Sequence, residues 1–555
     1  MLPPSTAEID PPFAPRRPRP WAGLTLMMLA LSATPAAALV AVTPPDFELT
    51  VLDIIPAPDQ IHVAFVARGV SDDGPGRTVW WARLDGTVEP RRLSGALEDV
   101  DEVVISPDSR RVAFNAFEAG VLEVWTAPVD AGAPVRISSP SPDGRASSIA
   151  FSDDGSRVLY VQGPNGGNRR LWTAPADGGS FATSISEADD NLSEFRIAAQ
   201  GRVIYRVFQP DVARTELFAA PVGGGASVRL SLSPGPPAPG GEELVAIPEW
   251  SLSPDRTTVV YTADMRFLGD PDNDAVDSEL YAVPAAGSSG LQTRLDFDES
   301  IDRQTLDDTT HEFAISSDGR RVVFLYSQEA EVPADSINDH FYVTAIDGGS
   351  APVLLADDSA AIIDFKASVE HAAYRSSDLS LVSMPFVGGA VTLDGDPVNA
   401  DYRPTPDGRR AVYSTGQERA LWSRRLDGAG PPAALTPPLG FGAVLADFAV
   451  TPQSSHVLFR SDFEIDGLFE LYAVETAGGT ARKLNDPPVT GRRVGDVVAT
   501  SDDRCVLFNV AASSSAPNRL FAADLGGPCA VAPGIFADGF ESGDTSAWSV
   551  SSRSE

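Results

Sequence analysis

Alternation of apolar and polar positions divides the stretch 104–138 into short segments of period two, each bounded by turn residues. Ser106-Pro107-Asp108-Ser109 is a tight turn, in which proline presets φ and the Asp and Ser side chains can bond nearby backbone. Arg111-Val112-Ala113-Phe114 follows as a strand, then a loop over 115–122, a strand around Val124-Trp125, a turn near Asp130-Ala131-Gly132 and a closing strand at Val135-Arg136-Ile137. Turns and short strands at this pitch predict an all-β repeat.

The same pattern recurs along nearly the whole chain. The large residue at Trp125 returns as Trp80, Trp172, Phe218, Tyr281, Tyr342, Val382, Trp422, Tyr472 and Phe521, a mean period of about 49 residues. The opening turn returns as Ala57-Pro58-Asp59, Ser253-Pro254-Asp255, Ser316-Ser317-Asp318-Gly319 and Thr405-Pro406-Asp407-Gly408. A closing Arg-Leu-Ser or its like stands at Arg92-Leu93-Ser94, Arg136-Ile137-Ser138, Arg229-Leu230-Ser231 and Lys483-Leu484-Asn485. Two copies, 194–231 and 363–393, keep the strands and lose the Pro-Asp-Gly turn. Four short antiparallel strands per unit describe a β-propeller blade, so the expected fold is all-β, a propeller of about ten four-stranded blades. The alternative is two smaller propellers in tandem, divided near 232–245. The recurring aromatics read as packing between blades rather than as ligand-stacking groups.

The succession Ser-Pro-Asp-Gly-Arg-Arg-Val-Ala-Phe, Leu-Trp or Leu-Tyr, Asp-Gly-Gly and Arg-Leu-Ser/Thr resembles the WD40-like repeat of TolB-type propellers. True WD40 repeats differ, since their Gly-His and Trp-Asp signatures are missing here. The resemblance covers 47–531 and implies a propeller fold. TolB itself carries a smaller α/β domain ahead of a six-bladed propeller, and no room for one exists between residue 38 and the first repeat.

Composition narrows the function. The 555 residues include 77 acidic against 42 basic, a net charge of −35, which disfavours nucleic acid and anionic membranes and favours cations or basic partners. Residues 1–38 read as a signal peptide: Arg16, Arg17 and Arg19 precede an apolar run, and Ala36-Ala37-Ala38 offers a cleavage site. An uncleaved anchor is the competing reading. The expectation is a periplasmic or extracellular monomer without stable membrane insertion, with 39–46 as a linker and 532–555 as a C-terminal tail. Export makes a Cys505–Cys529 disulfide the preferred reading over two small core residues.

Acidic residues collect on the second-to-third loops and the blade connections, which share one face of a propeller. Asp270, Asp272, Asp274 and Asp277 are a candidate calcium site, although Ala275 and Tyr281 stand where a calcium loop needs Gly and Glu. No other cofactor is expected. The five histidines are dispersed without metal-ligand spacing, and no G-x-S-x-G motif occurs. These absences lead to the expectation of a chain that is not an enzyme but binds a protein or glycan partner through its acidic loop face. The alternative is a carbohydrate-active enzyme, a polysaccharide lyase or glycosidase with carboxylates at the propeller centre.

Overall fold

The computed structural model describes residues 39–529 except 71–75, 140–143, 165–166, 188–190, 210–213, 233–241, 268–275, 288–290, 298–308, 330–336, 357–361, 417–419, 437–444, 463, 486–492 and 512–516. The expected signal segment and the C-terminal tail lie outside the described residues. Every regular element described is a strand. Nine sheets form, and one of them is two blades joined by a parallel bridge between Arg145 and Leu122, which makes ten four-stranded units. Blades 1 to 9 each use four strands in chain order; blade 1, for example, runs Thr50–Pro56, His62–Arg68, Thr78–Arg83 and Arg91–Arg92. In blade 5 the first strand is split into Glu242–Ala246 and Trp250–Leu252.

Blade 10 is built from both ends of the repeat region. Its strands Arg493–Ala499, Cys505–Ala511 and Asn518–Asp524 are completed by Leu39–Ala41, which pairs Leu39 with Ala523 and Ala41 with Phe521. Residues 39–46, expected as a linker, thus supply an outer strand; three apolar-flanked residues carry too little pattern to announce one. Cys505 and Cys529 are joined by a disulfide beside this closure, with their Cα atoms 5.0 Å apart.

A blade has two apolar faces and can bury neither alone, so the core lies between blades. Ten hydrophobic clusters fill the ten boundaries, the last joining Val51, Val63 and Phe65 of blade 1 to Leu507, Leu520 and Ala522 of blade 10. The second strand explains the interlock. In Val112-Ala113-Phe114, Val112 and Phe114 point into blade 1 and Ala113 into blade 3, as period two requires, so a large side chain of each blade meets a small one of its neighbour. The chain is therefore one closed ring of ten blades. Blades 4 and 5, on either side of 233–241, share a cluster through Leu217, Ile247, Trp250 and Tyr261, so two tandem propellers are excluded.

The repeated motifs turn out to be backbone devices. In the first turn, Ser106 Oγ donates to Asp108 Oδ1 at 2.6 Å, Asp108 accepts from Arg110 N, and Ser106 Oγ accepts from Arg111 N; the same set recurs at Ser152, Ser253, Ser316, Thr405 and Thr500. In the closing Arg-Leu-Ser, the hydroxyl caps a third-strand amide, as Ser138 does for Val124 and Ser231 for Leu217. The fourth residue of the turn adopts positive φ. Where it is not glycine its side chain ties adjacent turns together, as Ser109 to Asp59 N and Ser454 to Asp407 N. One expectation fails here: 115–122 is not a loop, because Arg111–Glu118 and Val121–Pro128 pair as a tight hairpin and Asn115 is buried.

Candidate functional site

The first strands of consecutive blades contact one another, as Thr50–Pro56 does both Val103–Ile105 and Arg493–Ala499, and as in other propellers they surround the axis. Most of these strands carry a β-bulge, an extra residue that breaks the ladder and turns backbone and side chain toward the centre. Beside it stands the apolar residue paired with the second-strand aromatic, as Ile54 is with Phe65 and Phe448 with Phe459. The residue just before that position is Asp53, Glu102, Ser148, Glu194, Glu249, Glu312, Asp364, Asp401, Asp447 and Asp496 in blades 1 to 10. Nine of the ten first strands thus place a carboxylate at one structural position. All nine are exposed or half-buried.

The bulge leaves carbonyl groups without ladder partners, and the residue after the second-strand aromatic of the preceding blade takes them up. Arg206 Nη1 donates to Ile247 O and Pro248 O at 2.9 Å each, Arg460 Nη1 to Val494 O and Gly495 O, Asn115 Nδ2 to Ala146 O, and Asn509 Nδ2 to Val51 O across the ring closure. Three of the carboxylates pair with an arginine at that second-strand position of their own blade: Glu194 with Arg206 at 2.8 Å, Asp447 with Arg460 Nε at 2.8 Å, and Asp364 with Arg375 Nε at 3.0 Å. Asp53 pairs with Arg77 at 2.7 Å and Asp401 with Arg403 at 3.0 Å.

Four carboxylates have no ion pair with a described residue. Glu102 accepts Ile149 N at 2.9 Å from blade 3, the blade whose own position is Ser148, and burial raises its pKa above the ordinary carboxylate value. Glu249 is also raised, first by burial and then by the neighbouring Glu312 charge. Glu312 is exposed, and Asp496 accepts the Asn509 amide at 3.1 Å. Asp53, Asp447 and Asp496, from three consecutive blades, line a cavity of about 430 Å³ with Arg460, Phe448 and Val497. The arrangement can attract and hold a cationic group, and Glu249, raised by burial and by the neighbouring Glu312 charge, has the proton affinity a general acid uses.

The sequence-derived candidates fall elsewhere. Asp270, Asp272 and Asp274 lie outside the described residues, and Asp277 is placed only as a strand residue opposite Met265. Among the described residues no group of three His, Cys, Asp or Glu side chains could hold a metal ion. Much of the acidic loop face, including Asp72, Asp73, Asp189, Asp190, Asp357 and Asp358, is likewise outside the described residues. The blade connection at Glu98, Asp99, Asp101 and Glu102 does lead into the central ring.

No family model matches the chain, and no curated protein matches it. Solved structures with a similar fold include a eukaryotic initiation factor, at 9% identity and TM-score 0.41 over 71% of this chain and 89% of that one. TolB from Acinetobacter baumannii is similar at 17% identity and TM-score 0.27, over 53% and 63%. An oligogalacturonate lyase from Vibrio parahaemolyticus is similar at 13% identity and TM-score 0.33, over 77% and 97%. The chain spans 54% of a prolyl endopeptidase and 60% of a puromycin-hydrolysing peptidase from Mycobacterium tuberculosis. These likenesses concern the fold alone. They correct one expectation, that the chain is not an enzyme: several structures of this architecture are enzymes, so missing peptidase and metal motifs do not license that conclusion.

Proposed function

We propose that the propeller, as an exported protein with TolB-like repeats, binds a basic segment of a partner protein at its acid-lined centre. The observation that carries this reading is the carboxylate at one position on nine of ten first strands, four of them without an ion pair to a described residue. A ring in which nine carboxylates outnumber the five arginines paired with them, in a chain of net charge −35, concentrates cations and speeds their encounter. The paired acids fix the ring's geometry and the unpaired ones supply its charge.

Titration with a fluorescent hexalysine tests the reading. The variant Glu102→Gln, Glu249→Gln, Glu312→Gln, Asp496→Asn should bind at least about tenfold more weakly. Neutralising four exposed acids elsewhere, Glu48, Glu89, Asp130 and Glu475, should change affinity far less. Equal losses in the two variants would reduce the effect to net charge and refute a central site.

A second reading, a carbohydrate-active enzyme, is favoured by Glu249, whose raised proton affinity beside Glu312 suits a general acid next to a carboxylate. Neutral and acidic polysaccharides incubated with the chain separate the two readings. Product formation abolished by Glu249→Gln alone and by Glu312→Gln alone would establish catalysis.

A further inference from the structure

We infer that the turn face carries a second binding site, independent of the central ring: a groove over blade 7 that takes one anionic group borne on an apolar body. The groove arises from a shortened turn. In the regular blades the turn closes five residues apart, as Ser106 N to Arg111 O and Thr405 N to Arg410 O; in blade 7 Ser368 N bonds His371 O, three apart. Two residues of the turn tip are missing, and with them the contact that would join blades 6 and 8. Two adjoining cavities, of about 670 and 290 Å³, occupy the space and share Val369, Glu370 and His371.

The neighbouring blade does not fill this gap. Blade 4 also lacks the full turn, but there Arg256 of blade 5 reaches across to Asp153 of blade 3 at 2.7 Å. The corresponding residue of blade 8 is Gly408, at φ +71°, whose missing side chain leaves the groove open. A Cβ there would stand 2.6 Å from Val369 Cγ2, so the groove's floor is packed against the glycine itself.

The lining selects the ligand. Arg320 and Arg321, from blade 6, form no ion pair or side-chain hydrogen bond with a described residue, and Arg321 lies over the Phe386 ring at 5.7 Å. His371 Nδ1 is buried without a partner, and burial holds its pKa below the ordinary value, so at neutral pH the imidazole adds a hydrogen-bonding group rather than a charge. Phe386 and Val387, the latter 85% exposed, give the groove an apolar wall. The other charges facing it are accounted for: Arg425 is paired with Asp427, Arg409 lies 3.9 Å from Asp407, and Asp318 is engaged by Ser316 and Arg320 N. Glu370 stands in the same groove and limits it to a single carboxylate, sulfonate or phosphate, excluding a polyanion.

The probe is 1-anilinonaphthalene-8-sulfonate, titrated by fluorescence into the full chain. One saturable site is expected, displaced by benzoate or phenyl phosphate and not by aniline. Arg320→Ala with Arg321→Ala should weaken it at least about tenfold, and Arg320→Lys with Arg321→Lys should restore most of the affinity. Val387→Asp, at an exposed rim, should also weaken it without touching the fold. The central four-acid variant should bind the probe as the parent does, which keeps the two sites distinguishable. Absence of a saturable site, or unchanged affinity in both the double alanine and the Val387→Asp variants, would overturn the proposal.

Discussion

Blades 4 and 7 are the two repeats whose first turn is shortened, and the ring accommodates the same loss in opposite ways. Blade 4 is sealed: Arg256 spans the gap and Ala199 N bonds Arg256 O. Blade 7 is left open, because Gly408 offers no side chain at that place. The contrast extends to the outer half of each blade. Blade 4 buries Glu216 completely, between Arg214 at 2.7 Å and Arg229 at 3.4 Å, whereas the matching residues of blade 7 are Ser380 and Thr392. A repeat can thus lose its turn and either be rebuilt with charge or become a surface available for binding. Around the axis the two blades stay alike, each pairing an acid with an arginine.

The largest expected effect comes from breaking the buried charges of blade 4. Arg214→Ala would leave Glu216, with no solvent exposure, facing Arg229 alone, at a cost on the order of 3 kcal/mol. Thr392→Ala, at the exposed blade 7 position that matches Arg229, should stay within about 0.5 kcal/mol. Denaturant midpoints of the two variants measure the difference. An Arg214→Ala protein as stable as its parent would show that the Glu216 charge is relieved in some other way, and the contrast between the blades would lose its energetic content.

A smaller difference is expected at the axis, where the blades look alike but are wired differently. Arg206 holds Glu194 and also both free carbonyls of the blade 5 bulge, so Arg206→Ala should cost about 2 kcal/mol. Among the described residues Arg375 holds Asp364 alone, since Lys366 Nζ takes the Tyr402 carbonyl of the next blade, and Arg375→Ala should cost about 1 kcal/mol. Amide exchange at 247–252 should quicken in the Arg206 variant, with no equivalent change at 399–404 in the Arg375 variant. Equal exchange at both places would mean that the arginines serve their own blades and not the boundary.

The sequence makes the blades legible because second strands, turns and closing triplets have fixed internal spacing: each is a local hydrogen-bonded device, like Ser106-Asp108-Arg111. The ring of carboxylates escapes the same reading for two physical reasons. The bulge breaks the period-two register of each first strand, so the acid has no constant place in an alternating pattern. Hairpin lengths then vary, so that Asp364 precedes its third-strand residue Val382 by 18 positions and Glu249 precedes Tyr281 by 32. Aligning the chain on the apolar residue opposite each second-strand aromatic would have exposed the acids; aligning on the third strand hides them. Ring closure was hidden as well, since Leu39–Ala41 finds its partners nearly the whole chain away.

The smallest effect, and the most direct probe of the sealed gap, is at Arg256. Its guanidinium forks onto Asp153 at 2.7 and 3.2 Å with both side chains nearly half exposed, so the pair contributes about 0.5 kcal/mol and is weakened by salt. Its backbone sits at φ +59°, which costs a non-glycine residue about 1 kcal/mol. Arg256→Ala loses the pair and keeps the strained backbone, so it should be destabilised by about 0.5 kcal/mol, a deficit that shrinks in 1 M salt. Arg256→Gly loses the pair and relieves the backbone, so it should equal or slightly exceed the parent in stability. The order Gly above Ala would make blade 4's seal a structure kept at some cost in backbone strain. If glycine and alanine are equally destabilised, the αL backbone carries no strain here, and the charge pair alone separates a sealed blade 4 from an open blade 7.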